Sequence, residues 1–245
     1  MVRLQKSMES RVGNTIVVIP SYNEARTIGR IVLDIVKMGL SVLVIDDGSV
    51  DSTERIALDS GAMVIRHRQN LGKGFSVREG IKHVLEKTNF EWMIIMDGDG
   101  QHHTEDVPIL MGATRAGGTD IVIGNRMLYP KTMPSVRYWT NRFTSWVVSG
   151  ACKQRIPDTQ CGYRLIRTDA LKKMKLTSDK YDIESEMLLQ AAEDNMKIRS
   201  VPIRTIYGEE TSEINPIRDT VKFFRLIFRH HFRPYGLRRT KGTDG

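Results

Sequence analysis

The sequence predicts an α/β fold in which a mostly parallel sheet is flanked by helices on both faces. Three observations support this prediction. Short runs rich in Val and Ile recur along roughly the first 125 residues, amphipathic helical patterns lie between them, and acidic segments follow several of the runs directly. Apolar runs that alternate with amphipathic helices are typical of a parallel sheet that is buried on both sides.

The elements of this first part follow from hydrophobic periodicity. Five short β-branched or apolar runs predict strands at Thr15–Ile19, Ser41–Ile45, Ala62–Ile65, Trp92–Met96 and Asp120–Ile123. Apolar residues at helical spacing predict one helix through Ile28, Ile31, Val32 and Ile35, and another through Val77, Ile81, Val84 and Leu85. The order of strands and helices predicts a doubly wound arrangement.

The composition of the chain changes after Arg126, where aromatic and basic residues are interspersed. Strands at Tyr163–Ile166 and Val201–Ile206 are predicted to bracket a helix from about Asp182 to Met196, and an amphipathic helix near Pro216–His230 leads into a basic tail. We therefore expect an N-terminal tail over residues 1–13 and one domain over 14–215. That domain has halves 14–125 and 126–215, with peripheral amphipathic helices in its second half, and residues 216–245 follow it.

Composition narrows the class of protein. The 245 residues are 40% hydrophobic, enough for a substantial core, and their 37 Lys and Arg against 29 Asp and Glu give a net charge of +8, which favours anionic partners. No apolar stretch approaches the roughly 18 residues of a transmembrane helix, and the N-terminus lacks a secretory signal pattern. Cys152 and Cys161 are interpreted as free thiols of a cytoplasmic protein.

Acidic groups follow the predicted strands, where an open parallel sheet binds its ligands. After the fourth strand, Asp97 and Asp99 alternate with glycines and are followed by Gln101. Alternate residues of an extended segment face the same way, so these oxygens can form part of a Mg²⁺ or Mn²⁺ site. The competing interpretation is a helix-capping Asp97 and a solvated Asp99. Asp46 and Asp47 follow the second strand and are interpreted as ligand contacts.

The segment Asn70–Gly74 places Lys73 between glycines at the start of a predicted helix. Backbone N–H groups and an ammonium at a helix start can approach a diphosphate. The segment lacks the GKS/T ending of a P-loop, so kinase or NTPase chemistry has little support.

Several motifs together resemble family 2 glycosyltransferases of the Rossmann-like GT-A fold, within the polyprenyl-phosphate branch that includes dolichol-phosphate mannose and glucose synthases. The resemblance covers about residues 14–230. It is carried by Val18–Glu24, Asp46–Ser49, Asn70–Gly74, Asp97–His102, Gly124–Arg126, Asp158–Arg164 and Ser212–Asn215.

The resemblance implies a metal-dependent, inverting transfer of a hexose from GDP-mannose, UDP-glucose or UDP-N-acetylglucosamine to a polyprenyl (dolichyl) phosphate. The first half of the domain would bind the nucleotide sugar and the second half the acceptor. The donor-binding residues would be Pro20, Tyr22, Glu24, Asp46, Asp47, Lys73, Asp97 and Gly98. Mg²⁺ or Mn²⁺ would bind Asp97, Asp99 and Gln101, and the catalytic residues would be Asp97, Asp99 and Arg126.

The chemistry of the acceptor decides whether the site needs a general base or positively charged residues. A sugar hydroxyl needs a general base, whereas a phosphate monoester with a second pKa of about 6 is already largely a dianion at neutral pH. Positive charge is needed instead, and the candidate acceptor-phosphate residues are Arg126, Arg137, Arg142 and Arg164. The alternative is a soluble family 2 transferase acting on a saccharide or small-molecule hydroxyl, with Glu184 or Asp158 as base.

Two segments have the composition of a membrane boundary. In Pro216–His230 a basic stripe adjoins an aromatic one, and Tyr138–Cys152 carries two tryptophans around Arg142. Packing of these residues on the sheet is the competing interpretation. We expect peripheral attachment to the cytoplasmic face of a membrane, directly or through a membrane-anchoring partner subunit. A nucleic-acid partner is not expected, because no RNA-recognition motif is present and the strand-end carboxylates would repel a phosphate backbone. A binding module without turnover is the third hypothesis.

Overall fold

The structure is a computed structural model, and it describes residues 13–128, 133–178 and 182–204. Its strands are β1 (Thr15–Ser21), β2 (Ser41–Asp46), β3 (Met63–Arg66), β4 (Trp92–Ile95), β5 (Ile121–Asn125), β6 (Arg164–Arg167) and β7 (Ile198–Pro202). Its helices are α1 (Ile28–Lys37), α2 (Thr53–Asp59), α3 (Lys73–Lys87), α4 (Val107–Ala113), α5 (Ser135–Cys152), α6 (Thr168–Leu171) and α7 (Ile183–Glu193). Short 3₁₀ turns at Thr104–Asp106 and Thr114–Ala116 flank α4.

The seven strands form one sheet in the order β3-β2-β1-β4-β6-β5-β7. The pairs β2–β3, β1–β2, β1–β4 and β5–β7 are parallel, and only β6 among these strands runs antiparallel to its neighbours. This arrangement confirms the predicted α/β fold with a mostly parallel sheet. Because β1 lies between β2 and β4, the segments that follow these three strands emerge side by side at one edge.

The core is built from the central strands, because helices cover both of their faces. Every residue of β1, β4 and β5 is buried. In contrast, β3 and β7 lie at the two edges of the sheet and are only partly buried. Helix α1 buries Ile28, Ile31, Val32 and Ile35, which is the face that its sequence pattern predicts.

The predicted strands differ from the observed strands by a few residues at their ends. The largest difference is the last strand, which begins at Ile198 and ends at Pro202, whereas the sequence pattern predicts Val201–Ile206. An edge strand has only one paired neighbour and is half exposed, so its apolar pattern is weak. The predicted helix at Pro216–His230 lies outside the described residues, as does all of the segment 205–245. Residues 1–12 of the predicted N-terminal tail also lie outside them.

The turn after β2 requires glycine at position 48. Gly48 has φ +75°, and a Cβ built there would lie 2.5 Å from the backbone carbonyl carbon of Gln69. The Ser49 N–H closes the turn by donating to Asp46 Oδ1 over 3.0 Å. The turn therefore brings two separate loops of the sheet edge into direct contact.

We expect Gly48→Ala to lower the free energy of unfolding by at least about 1–2 kcal/mol, because the left-handed conformation disfavours Cβ and the Gln69 backbone must shift. Gly112→Ala is the matched control, since a Cβ at this position in α4 has no neighbour within 4 Å apart from its adjacent residues and the backbone of its own helix. Alanine is there expected to stabilise by about 0.5–1 kcal/mol. Urea unfolding of both variants measures the difference, and equal effects would contradict the assigned turn.

Candidate active site

The segments that follow β1, β2 and β4 are joined by hydrogen bonds at the carboxyl edge of the sheet. The Asn23 N–H donates to Ser49 Oγ over 2.9 Å, and the Glu24 N–H donates to Thr53 Oγ1 over 2.8 Å. Of the predicted donor-binding residues in this region, Pro20 is buried at the end of β1 and Glu24 is half-buried, whereas Tyr22 is exposed. The loop that carries Tyr22 and Glu24 is thus held against the loop after Asp46.

Gly98 allows the segment after β4 to approach β1 closely. A Cβ at Gly98 would lie 2.5 Å from Ser21 Oγ, and the Gly98 carbonyl accepts a 2.6 Å hydrogen bond from Thr27 Oγ1. Asp97 and Asp99 flank this glycine and are both partly exposed. The Gln101 N–H donates to Asp99 Oδ1 over 2.9 Å, which folds the segment into a tight turn. The predicted metal-binding residues therefore share one turn at the sheet edge.

An ion cluster lies next to this turn. The Lys73 ammonium, at the start of α3, is 2.6 Å from Asp97 Oδ1 and 2.9 Å from Glu184 Oε1. Gly162 packs directly against it, since a Cβ there would lie 2.8 Å from Asp97 Oδ2 and 3.1 Å from Lys73 Nζ. We call Lys73, Asp97, Glu184 and Gly162 the ion cluster. The cluster combines residues from both halves of the predicted domain, since Lys73 and Asp97 belong to the first half and Gly162 and Glu184 to the second.

The charges of the ion cluster stabilise one another. Burial works to lower the pKa of Lys73, but the carboxylates of Asp97 and Glu184 outweigh it and hold that pKa above its usual value. Burial works to raise the pKa of Asp97, but the Lys73 ammonium outweighs it and lowers that pKa to about 2. At neutral pH the cluster therefore contains a full ammonium and an ionised Asp97.

The metal hypothesis can be compared with these donors. In the parts of the chain that the structure describes, no group of three His, Cys, Asp or Glu side chains is arranged to hold a metal ion. The predicted set consists of two carboxylates and one amide, and such hard oxygen donors suit Mg²⁺ or Mn²⁺. The Lys73 ammonium lies 2.6 Å from Asp97 Oδ1 and so occupies the position of a cation beside this carboxylate. The oxygen donors of Asp97, Asp99 and Gln101 are therefore of the kind that a divalent ion prefers.

The two aspartates that follow β2 have different environments. Asp46 is fully buried, and its Oδ2 lies 3.6 Å from the Arg66 Nε. Asp47 accepts hydrogen bonds from the backbone N–H groups of Leu71 and Gly72 over 2.9 and 2.8 Å, and its Oδ1 lies 2.7 Å from His67 Nδ1. Both oxygens of Asp47 therefore hold the loop that precedes Lys73, and the donor contact at Asp47 stays a prediction.

Arg126 forms a buried pair with Asp158. Its Nε and Nη2 donate to the two carboxylate oxygens over 2.8 and 2.9 Å, and its backbone N–H donates to Asp158 Oδ2 over 3.1 Å. Burial works to raise the pKa of Asp158, but the guanidinium outweighs it and lowers that pKa. The predicted role of Arg126 in binding an acceptor phosphate thus competes with a bidentate ion pair inside the protein.

Arg164 requires a correction. Only 1% of it is exposed, and its guanidinium donates to the backbone carbonyls of Cys161, Glu184 and Thr159 over 2.9, 2.6 and 2.8 Å. Because these carbonyls occupy its donors inside the core, Arg164 is not accessible to an acceptor phosphate. It instead ties the Thr159–Cys161 segment to the start of α7.

Helix α5 contains the other two predicted acceptor residues. Arg137 is half-buried and Arg142 is exposed. The helix buries Asn141, Ser145, Val148 and Cys152 against the domain. An exposed stripe runs along its other side, formed by Val136 (70% exposed), Trp139 (65%), Phe143 (49%) and Trp146 (73%). We call these four residues the aromatic stripe. None of the described helices has the length and apolarity that crossing a bilayer requires.

Two members of the ion cluster are not among the residues that the sequence assigns to the site. Glu184 enters the sequence interpretation only as an alternative base, and Gly162 only as part of a motif. The apolar pattern of α7 gave no reason to place Glu184 at the sheet edge, because it belongs to a helix whose first residues are all buried. Only the contact with Lys73 identifies it.

The chain is similar to several known proteins. Residues 16–175 match the family described as glycosyl transferase family 2. The chain is 32% identical to the undecaprenyl-phosphate mannosyltransferase of Micrococcus luteus, over 78% of this chain and 83% of that protein. It is 27% identical to the UDP-N-acetylglucosamine–dolichyl-phosphate N-acetylglucosaminyltransferase of Methanococcus voltae, over 78% and 85%.

The fold is also similar to that of solved structures. The crystal structure of glucosyl-3-phosphoglycerate synthase from Mycobacterium tuberculosis, in complex with Mn²⁺, uridine diphosphate and glucosyl-3-phosphoglycerate, matches with a TM-score of 0.68. The match is 19% identical and covers 93% of this chain and 81% of that chain. This likeness shows the GT-A fold.

Proposed function

The chain belongs to glycosyltransferase family 2 and is a hexosyltransferase, and we propose that it transfers a hexose from a nucleotide sugar to a polyprenyl phosphate. The observation that carries the proposal is the ion cluster at the carboxyl edge of the sheet, where Lys73 and Asp97 meet. Two relatives whose names specify polyprenyl-phosphate acceptors support the choice of acceptor. GDP-mannose, UDP-glucose and UDP-N-acetylglucosamine are the candidate donors.

The donor diphosphate is proposed to bind at the sheet edge beside Lys73 and the turn at Asp97 and Asp99. Lys73 supplies an ammonium that is fixed by two carboxylates, so its charge is oriented before the donor arrives. The loops that carry Tyr22, Glu24 and Asp46 adjoin this position and are proposed to bind the nucleoside. The whole donor site then lies along the edge formed by β1, β2 and β4.

Asp97, Asp99 and Gln101 would hold the divalent ion, because they supply the oxygen donors that such an ion prefers. When bound, Mg²⁺ or Mn²⁺ would neutralise the negative charge that develops on the leaving nucleoside diphosphate. The solved relative of the same fold was crystallised with Mn²⁺ and uridine diphosphate, which supports this part of the proposal. Asp97 is ionised at neutral pH because its pKa is held at about 2.

A polyprenyl phosphate is favoured over a saccharide hydroxyl because the two carboxylates considered as general bases, Asp158 and Glu184, are both paired with cations. Asp158 is fully buried and both of its oxygens accept hydrogen bonds from Arg126. Glu184 lies beside the Lys73 ammonium. A phosphate dianion is already a nucleophile and needs only cations to approach the donor. We propose that Arg137 and Arg142 of α5, with Arg126 deeper in the site, provide this attraction.

The aromatic stripe of α5 supports attachment to a membrane surface. Two tryptophans that expose 65% and 73% of their surface bury little apolar area against this protein, and amphipathic aromatic rings favour the headgroup region of a bilayer. Arg142 is exposed on the same helix and suits anionic headgroups. We propose that the protein acts at the cytoplasmic face of a membrane through this helix, with or without an anchoring subunit.

Replacing Trp139 and Trp146 together with serine is expected to weaken binding to anionic lipid vesicles about tenfold or more, because two large apolar surfaces no longer enter the interface. Vesicle co-sedimentation measures the change. Leu58→Ser is the control, since Leu58 is 51% exposed on α2 and belongs to a different surface. Equal loss in the control and in the double variant would contradict the role of the aromatic stripe.

The proposed reaction is tested by incubating the protein with each candidate donor, Mn²⁺ and a short-chain polyprenyl phosphate, and by detecting the glycosylated lipid with mass spectrometry. The expected product is a polyprenyl-phosphate hexose from one of the three donors. Parallel reactions contain free hexoses or the corresponding polyprenol. Transfer to these hydroxyls without transfer to the lipid phosphate would overturn the proposal in favour of a saccharide acceptor.

A further inference from the structure

We propose that Glu184 is a donor-specificity residue, whose carboxylate accepts a hydrogen bond from a ring hydroxyl of the donor hexose. This inference rests on the proposed hexose transfer and adds a residue to its site. It begins from the two oxygens of Glu184, which have different surroundings. Oε1 lies 2.9 Å from the Lys73 ammonium, whereas Oε2 is buried and has no hydrogen-bond partner among the described residues.

The burial of Glu184 makes the unpartnered oxygen significant. The side chain is 8% exposed, at the first turn of α7, and its backbone carbonyl is held by Arg164 Nη1 over 2.6 Å. A buried carboxylate oxygen is costly unless a donor satisfies it, so such an oxygen points to a ligand. The hydrogen bond from the buried Arg164 holds the backbone of Glu184 in place.

The place of Glu184 beside Lys73 indicates the chemistry of that ligand. Lys73 joins Glu184 to Asp97, and Asp97 belongs to the turn that is proposed to bind the diphosphate. The group that follows the diphosphate in a nucleotide sugar is the hexose, whose hydroxyls are neutral donors. A second phosphate would be repelled by a carboxylate, whereas a hydroxyl gives it a charge-assisted hydrogen bond. Glu184 therefore suits the sugar end of the donor.

Glu184 also holds Lys73, and the test must separate these two roles. A residue that only fixes Lys73 affects the binding of nucleoside diphosphates and nucleotide sugars equally. A residue that binds the hexose affects only donors that carry the contacted hydroxyl. Titration calorimetry with UDP, GDP, UDP-glucose, UDP-N-acetylglucosamine and GDP-mannose in Mn²⁺ first identifies the tightest donor of the wild-type protein. Analogues of that donor, each lacking one ring hydroxyl, are then titrated without any acceptor.

We expect the loss of one particular hydroxyl to weaken wild-type binding about tenfold or more, which is typical of a hydrogen bond to a charged group. Glu184→Gln is expected to weaken binding of the intact donor to a similar extent and to change nucleoside diphosphate binding less than about threefold. In this variant, removal of the same hydroxyl from the donor is expected to weaken binding less than about threefold. Glu193→Gln, at the exposed end of the same helix, is expected to behave as wild type.

Glu184→Asp keeps the charge beside Lys73 but shortens the side chain by one methylene, so it serves if Glu184→Gln does not fold. It is expected to bind nucleoside diphosphate as wild type does and to lose the discrimination between the intact and deoxy donors. The inference is overturned if either substitution weakens the binding of UDP or GDP as much as that of the nucleotide sugar. It is also overturned if no hydroxyl deletion weakens donor binding to the wild-type protein. Failure of every nucleotide sugar to bind the wild-type protein would instead overturn the proposed function.

Discussion

Replacing Asp97 with asparagine is expected to reduce hexose transfer about 100-fold or more. The substitution keeps the shape of the side chain but removes the charge that pairs with Lys73 over 2.6 Å and that is proposed to bind the divalent ion. A bound cation contributes several kcal/mol to stabilising the leaving group, and each 1.36 kcal/mol corresponds to a factor of ten in rate. Initial rates at saturating donor and Mn²⁺ measure this loss.

Asp169→Asn is the matched control for Asp97→Asn. Asp169 also pairs with a lysine, Lys172, over 2.8 Å, but its side chain is 69% exposed on the surface. The same substitution there removes one carboxylate and one ion pair, and is expected to leave the rate within about twofold of wild type. Retention of the wild-type rate by Asp97→Asn would refute the assigned role of the turn after β4.

Replacing Asp158 with asparagine is expected to lower the free energy of unfolding by about 3 kcal/mol or more. The reason is that the buried Arg126 would lose the carboxylate that accepts two hydrogen bonds from its guanidinium, which is more costly than the absence of the pair. For a chain of this size the melting temperature is expected to fall by roughly 10 °C. Urea and thermal unfolding at neutral pH measure both quantities.

The control for this prediction removes both charges at once. The double variant Arg126→Met with Asp158→Leu fills the same buried space with apolar side chains, and is expected to be more stable than Asp158→Asn alone. If the single variant is as stable as wild type, Arg126 has another counter-ion and the pair is not the main constraint on its position.

The same pair has a pH dependence of known sign. The pKa of Asp158 is lowered below its usual 3.8 in the folded protein, so the folded state binds the proton less readily than the unfolded state. Its contribution to stability is therefore fully present above about pH 4 and is lost as the pH falls through the folded-state pKa. The stability difference between wild type and Asp158→Asn is expected to be largest at neutral pH and to shrink towards pH 3. A difference that does not change would contradict the ionic origin of the effect.

The sequence by itself determined the fold class, because alternating apolar runs and amphipathic helices are local patterns that each segment carries alone. It also determined which segments meet at the carboxyl edge, since the ends of parallel strands share one edge wherever the strands lie in the sheet. Asp97 and Asp99 were expected at this edge for that reason, whereas Lys73 was singled out as a glycine-flanked lysine at a predicted helix start. The edge strand β7 was predicted less well, because a half-buried strand has a weaker apolar pattern.

Only the tertiary structure decided what each polar side chain contacts. Asp47 and Arg164 were expected to bind ligands, but the folded chain satisfies them with backbone N–H and carbonyl groups of distant segments. Glu184 shows the opposite outcome, since α7 brings it to Lys73 and leaves one of its oxygens without a partner among the described residues. A sequence pattern reports burial along one segment, whereas the partner of a charge is set by segments that are remote in the chain and meet only after folding.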